Sequence, residues 1–206
     1  LETWLPDATL QNIAAENNLP ETAFFVPKNN HYHIRWFTPV SEVKLCGHAT
    51  LASAFVIFNF IDSARDKIIF ESLSGPLHVS KAERGFMLDF PVWPLEASQP
   101  SSALIEALGE KPDEFYLSHD AVAVYKDAAT VKNLAPDMSK LIAFKEARGV
   151  IVTAPGSGDL DFVSRAFYPG IGIPEDPATG SAHCALTPYW AKRLDKTTLQ
   201  ARQVSA

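Results

Sequence analysis

Two glycines, Gly47 and Gly180, each open a run of small residues that reads as the entry to a helix, and polar side chains stand beside both. The first turn of a helix carries backbone N–H groups without intrahelical partners and the positive end of the helix dipole. Glycine at the entry removes a Cβ that would hold a ligand away. Two such turns suit a carboxylate, and they stabilise negative charge that develops next to it. His48 follows Gly47 directly, and histidine is the side chain most easily poised for proton transfer near neutral pH. Glu175 and Asp176 precede the second turn inside the proline-stiffened run Ile173-Pro174-Glu175-Asp176-Pro177-Ala178-Thr179-Gly180-Ser181. Asp176 is read as a positioned catalytic carboxylate. The alternative is that it merely caps the helix, a task Thr179 or Ser181 could perform. His183 is read as packing or support. His31 and His33 share one strand face at a spacing that could hold a metal, but no Cys, Asp or Glu is evidently placed to complete a set. They are read as an exposed face, and no metal is expected. No phosphate loop, dinucleotide-binding Gly-x-Gly-x-x-Gly or Gly-x-Ser-x-Gly elbow occurs. Proton transfer without a cofactor is the chemistry left.

The elements that must position these groups alternate between short strands and helices. Residues 6–18 read as a helix with Asp7 as its cap, residues 21–26 as a strand ended by Pro27, and residues 31–37 as its hairpin partner. A helix is expected over 47–61, then strands at 67–71, 76–80 and 85–90. The proline-rich stretch 91–100 is the expected boundary, giving lobes at 1–95 and 96–206. In the second lobe, helices are expected at 102–108 and around 138–143, strands at 120–125, 149–153 and 161–167, then a loop and a helix over 180–194. Arg35-x-Phe37-x-Pro39 is followed eight residues later by Gly47-His48-Ala49, and Arg165-x-Phe167-x-Pro169 is followed eleven residues later by Gly180-Ser181-Ala182. The recurrence points to two structurally equivalent lobes.

Composition narrows the partners. With 206 residues, 47% hydrophobic and 20% charged, the chain is ordinary for a folded protein. A net charge of −6 argues against nucleic acid as a partner. The apolar run 45–61 is shorter than the ~20 residues a membrane span needs, so no membrane partner is expected. Two cysteines, Cys46 and Cys184, are too few for a disulfide framework and suit a reducing cytoplasm.

Taken together, Phe37-Thr38-Pro39, Glu42-Val43, Leu45-Cys46-Gly47-His48-Ala49-Thr50-Leu51-Ala52 and Glu175-Asp176-Pro177-Ala178-Thr179-Gly180-Ser181-Ala182-His183 resemble the PhzF-like family of phenazine-biosynthesis isomerases and their relatives. Asn18-Leu19-Pro20-Glu21-Thr22-Ala23-Phe24 resembles a further motif of that family. The resemblance implies an α+β fold of the diaminopimelate-epimerase type. Two similar lobes would each wrap a curved, mostly antiparallel sheet around a central helix, with the active site between them. It also implies a cofactor-independent isomerase that moves a proton between carbons of a small, cyclic or unsaturated carboxylate. Carried over by motif, Glu21 is the base, His48, Asp176 and Ser181 complete the polar site, and the turns at Gly47 and Gly180 hold the carboxylate. Phe24, Phe25 and Trp36 are expected to give Glu21 dry surroundings, since burial strengthens a carboxylate base. A homodimer is the possible assembly the resemblance implies.

Three departures stand out. Pro20 replaces the usual Ser before the glutamate, the customary first strand with its Asp-Ala-Phe segment is absent, and so are the closing strands after Ala206. The chain is accordingly expected to be either a portion of a longer protein or an unusually short member of the family. Two other functions remain open. One is an amino-acid epimerase or racemase using two opposed thiols, for which Cys46 matches one position but Thr179 occupies the other and Cys184 lies a turn further on. The other is a non-enzymatic member that binds a metabolite or a protein.

Overall fold

Alternation between buried and half-buried positions along residues 22–37 builds the first sheet. The computed structural model describes residues 1–205, and the chain divides into two compact units, Leu1–Pro91 and Val92–Ala206. In the first unit, β1 (Thr22–Lys28) and β2 (His31–Phe37) form an antiparallel hairpin with Lys28 opposite His31. Asn29, at φ 54°, makes the turn in the left-handed region that asparagine tolerates. On β2 the side chains of Tyr32, Ile34 and Trp36 are buried, while His31, His33 and Arg35 share the other, half-buried face. Pro27 lies within β1 and does not end it. The strand is at the edge of the described sheet, where a missing N–H costs no ladder bond.

The sheet continues as β2, β4 (Lys67–Ser72), β5 (Gly75–Lys81) and β6 (Phe86–Asp89), with the two-residue β3 (Glu42–Val43) on the other part of β2. β4 runs parallel to β2 and the remaining pairs are antiparallel. α2 (Gly47–Val56) buries Gly47, Ala49, Thr50, Ser53 and Ala54, small residues that allow close approach. It packs against both β1 and β6, the two ends of the strand order, so the sheet wraps around it. The helical run continues as a wider π turn over Ile57–Ile61. α1 (Asp7–Asn17) sets Leu10 and Ala14 against Phe24 and Phe37. Asp7, expected to cap α1, makes no cap bond, and its carboxylate accepts from Arg35 Nη1 at 2.8 Å.

The second unit holds a sheet in the order β12 (Ile173–Asp176), β11 (Phe162–Tyr168), β10 (Val150–Pro155), β9 (Ala121–Val124), β8 (Glu114–Leu117) and β7 (Glu96–Ala97). A further strand, β13 (Ala201–Gln203), runs parallel to β11. α3 (Ser102–Leu108) follows its expected bounds: the Ser101 hydroxyl accepts from the Leu104 N–H at 3.2 Å, and Gly109 closes the helix at φ 83°. Ser101→Ala is expected to cost about 1 kcal/mol, read as a lower midpoint in a urea melt. α4 (Ala128–Asn133) and α5 (Met138–Leu141) are capped by Asp127 and Asp137.

α6 (His183–Leu194) contains Pro188, which cannot donate to the carbonyl of Cys184 four residues back. That carbonyl is satisfied from outside the helix, by the Trp93 N–H at 2.9 Å. Trp190 Nε1 donates to Thr153 Oγ1 at 3.0 Å and stacks on Phe162, which fixes α6 against β10 and β11. The expected helix over 180–194 differs at its start: Gly180–Ala182 is a 3₁₀ turn, and the α-helix begins at His183.

The recurrent Arg-x-Phe-x-Pro segment has the same architecture in both units. Arg35 donates through Nε and Nη2 to both oxygens of Glu42, at 2.7 and 2.8 Å, and Arg165 does the same to Glu175 at 2.8 and 2.9 Å. Each guanidinium carbon sits 5.0 Å from the ring centre of its Phe, Phe37 or Phe167. Both glutamates lie on the short strand beside the arginine's own strand, and both precede the glycine by five residues. β1–β2 corresponds to β10–β11, and β4 and β13 each return parallel to the inner strand. The repeat expected from sequence is therefore a repeat of structure.

Candidate active site

Glu21 is the residue before β1, and His48 is the second residue of α2. The fold brings them together: Glu21 Oε2 lies 3.3 Å from His48 Nε2, the Glu21 side chain 12% exposed and the His48 side chain 48%. The Cys46 sulfur is abreast of the same ring, 3.8 Å from Nδ1 and 3.9 Å from Nε2. Both ring nitrogens are within hydrogen-bond reach of the sulfur. No side chain caps α2, which begins at Gly47 after Cys46 in extended conformation. The first-turn N–H groups thus remain available to an anion.

The electrostatics favour proton transfer over metal ligation at this cluster. The Cys46 sulfur and the Glu21 carboxylate raise the His48 imidazolium from 6.5 to about 10, against the opposing effect of burial. Burial pushes the Cys46 thiol up. Glu21, Cys46 and His48 have donor atoms within 4.8 Å of one another, yet a protonated imidazole and a neutral thiol are poor ligands. A raised imidazolium stabilises the fold fully below pH ~6.5, and that contribution is lost as the pH rises through about 10. In Glu21→Gln the His48 titration is expected to move to lower pH, as read from the imidazole proton shifts in NMR. An unmoved titration would remove Glu21 from the pair.

Of the residues expected to give Glu21 dry surroundings, Phe24 and Trp36 are buried and Phe25 is half-buried. Phe24 joins Leu10, Ala14 and Phe37, Phe25 packs edge-on against Tyr32 and Phe70, and Trp36 is 1% exposed on β2.

In the second unit, the run 173–181 contains β12 and is more ordered than the expected loop. Glu175 is taken up by Arg165. Asp176 closes an Asx turn: Oδ1 accepts from the Ala178 N–H at 3.1 Å, and Oδ2 accepts from the Thr179 hydroxyl at 2.8 Å. Gln203 on β13 clamps the same turn. Its Oε1 accepts from the Thr179 N–H at 2.6 Å, and its Nε2 donates to the Asp176 carbonyl. Thr179 makes no side-chain cap to the Gly180–Ala182 turn, and Ser181 is 7% exposed. His183 Nδ1 lies 3.3 Å from the Thr179 carbonyl and its ring tilts against Phe162, in line with the supporting role expected of it.

A network behind Ser181 was not anticipated. Arg148 Nη2 lies 3.4 Å from Ser181 Oγ, and Arg148 donates through Nε and Nη2 to both oxygens of Asp120, which is 1% exposed. Tyr168 donates its hydroxyl to the same carboxylate at 3.1 Å, and its ring lies 4.9 Å from the guanidinium carbon. The available signal was a matched pair of opposite charges. Asp120 and Arg148 stand just before β9 and β10, two strands that run parallel in register.

Comparison with known proteins agrees with this architecture. Residues 2–206 match the family described as phenazine biosynthesis-like protein, PhzC-PhzF. An uncharacterized isomerase of Pseudomonas aeruginosa is 47% identical over 206 residues, covering 100% of this chain and 79% of its own. A crystal structure of a PhzF-family phenazine biosynthesis protein from Enterococcus faecalis superimposes with a TM-score of 0.90 at 53% identity, over 100% of this chain and 78% of that one. A probable proline racemase from Agrobacterium radiobacter shares the fold alone, with a TM-score of 0.62 at 9% identity over 96% and 70% of the two chains. The family supports an isomerase- or epimerase-type function, and the mixed α+β fold with two sheets is that of the PhzF and racemase neighbours. By sequence along its whole length and by fold, the chain belongs to the phenazine biosynthesis-like family.

Proposed function

We propose that the chain carries a cofactor-independent isomerase activity, moving a proton between carbons of a small, cyclic or unsaturated carboxylate. The observation that carries this reading is the pairing of Glu21 with His48 at the uncapped start of α2. Glu21 takes a proton from carbon and leaves a delocalised anion. The imidazolium of His48 is charged at neutral pH, so it can stabilise that anion or return a proton at another carbon. The proposal assigns the substrate carboxylate to the Gly47 turn, and Gly180, Ser181 and Asp176 of the second unit stand as further candidate binding and relay residues. Arg148 holds the Ser181 hydroxyl. A reducing cytoplasmic setting and a homodimer form part of the same proposal, the first supported by the two buried free thiols. No described helix is long and apolar enough to cross a membrane.

The thiol-based epimerase finds less support. The Cys46 thiol is held up by burial, and the corresponding position before Gly180 is Thr179. The reading is tested by following a panel of cyclic and unsaturated carboxylates, and of single-enantiomer amino acids, by NMR after incubation with the protein. Double-bond migration in a carboxylate, insensitive to iodoacetamide, is the expected result. Racemisation abolished by alkylation would establish the thiol mechanism, and saturation-transfer binding without any turnover would favour a metabolite-binding role.

A further inference from the structure

The outward face of the first sheet gathers a second cluster of side chains remote in sequence. His31 and His33 stand two residues apart on β2, and β4 runs parallel beside it with Glu71 in register with His33. Residues in register on adjacent strands point to the same face, as do residues two apart on one strand. His31 Nε2 lies 3.1 Å from Glu71 Oε1, and His33 Nε2 lies 2.9 Å from Glu71 Oε2. The two imidazoles are stacked at 6.4 Å, 26° from parallel, so their ring edges turn the same way toward the carboxylate. Glu71 is the acid that the sequence did not evidently supply, thirty-eight positions beyond His33.

We propose that His31, His33 and Glu71 bind a divalent first-row transition metal ion, zinc being the reference case. Tetrahedral zinc with nitrogen and oxygen ligands at ~2.0–2.2 Å separates those ligands by ~3.3 Å; here the donor atoms all lie within 4.8 Å of one another, each imidazole facing a different oxygen of Glu71. Two imidazoles and a carboxylate form a ligand set of borderline softness suited to Zn²⁺, Co²⁺ or Ni²⁺ rather than to Mg²⁺ or Ca²⁺. Two rigid strands hold all three side chains, so little ordering is needed on binding. The side chains are partly open, at 25%, 30% and 46% exposure. A hollow of about 250 Å³, lined by His33, Glu71, Trp4, Arg35 and Leu73, opens beside them, with room for water or an exogenous ligand on the ion.

The ammonium group of Lys28 lies 3.0 Å from His33 Nε2 and 4.0 Å from Glu71 Oε2. One imidazole nitrogen cannot both accept from that ammonium and donate to Glu71. A cation that replaces the ammonium resolves the conflict, because His33 and Glu71 then both act as electron-pair donors. Lys28 is 52% exposed and free to swing into water.

The experiment is isothermal titration of the protein with Zn²⁺ near neutral pH, alongside Co²⁺ absorption spectroscopy. One ion per chain is expected. Second-shell changes alone weaken metal sites by 10- to 100-fold, so His33→Ala and Glu71→Ala should weaken binding by at least ~100-fold. His48→Ala should leave it unchanged, and Lys28→Met should tighten it several-fold. The Co²⁺ spectrum should show ligand-field bands without a thiolate charge-transfer band. No binding, or binding that survives His31→Ala/His33→Ala with the fold intact by circular dichroism, overturns the proposal. A thiolate band that disappears in Cys46→Ser would place the ion on the Glu21 cluster instead.

Discussion

Glu21→Gln is expected to slow isomerisation by ~10²–10⁴-fold, the range in which a positioned general base contributes, with little change in substrate binding. The amide keeps the volume of the carboxylate and can still meet His48, but it cannot take a proton from carbon. His48→Gln should also slow the reaction, by a mechanism that pH separates from the first. The wild-type imidazole is held charged up to about 10, so wild-type activity should persist through neutral pH and decline as that group loses its proton. Because both residues act on one proton-transfer sequence, the double variant should be scarcely slower than the worse single one. A double variant slower by the product of the single effects would mean that the pair does not work as a unit.

The second large effect concerns stability. Arg165 is 7% exposed and forms a two-pronged pair with Glu175. Its remaining Nη1 donates to the carbonyls of Val131 and Leu134 at 3.1 and 2.7 Å. It therefore ties β11 to β12 and to the end of α4. Removing one member of a buried pair leaves the other charge uncompensated, which costs about 3–5 kcal/mol. Arg165→Met should lower the melting temperature of the second unit by roughly 10 °C or more. Arg35→Met should cost less, because Arg35 is more exposed and its partner Asp7 is largely in solvent. The Arg165 guanidinium holds the Glu175 carboxyl below its ordinary 4.5, against burial and with help from Ser205. Stability from this pair is thus complete above pH ~4.5 and is lost as pH falls through the lowered value. Denaturant melts between neutral pH and pH 3 should show a slope in the wild type that flattens in Glu175→Gln.

Local signals carried much of this architecture. The Arg-x-Phe-x-Pro recurrence and the hairpin over residues 21–37 are properties of neighbouring residues, and the corresponding elements form where the sequence puts them. What stayed hidden depends on pairing between strands. The partner of Glu175 was not legible, because Arg165 reaches it only across the β11–β12 pair. Glu71 joins His31 and His33 only through the parallel β2–β4 pairing, and Asp120 meets Arg148 only through β9 and β10. Pro27 reads as the end of its strand because what tolerates it is tertiary, an edge position in the sheet. At the candidate site, the approach of Glu21 to His48 followed from motif resemblance. The capping geometry of Asp176 follows from local Asx-turn chemistry, which the sequence offered as the alternative reading.

Carbon-bound proton exchange tests the central claim most directly. The protein is incubated in deuterated buffer with cyclic and unsaturated carboxylates, and deuterium entering carbon positions is followed by NMR in wild type and in Glu21→Gln. Deuterium incorporation with wild type, lost in the variant while the carboxylate still binds, is the predicted result. Exchange of equal rate in both proteins would remove Glu21 as the base, and binding without exchange in either would contradict the isomerase itself.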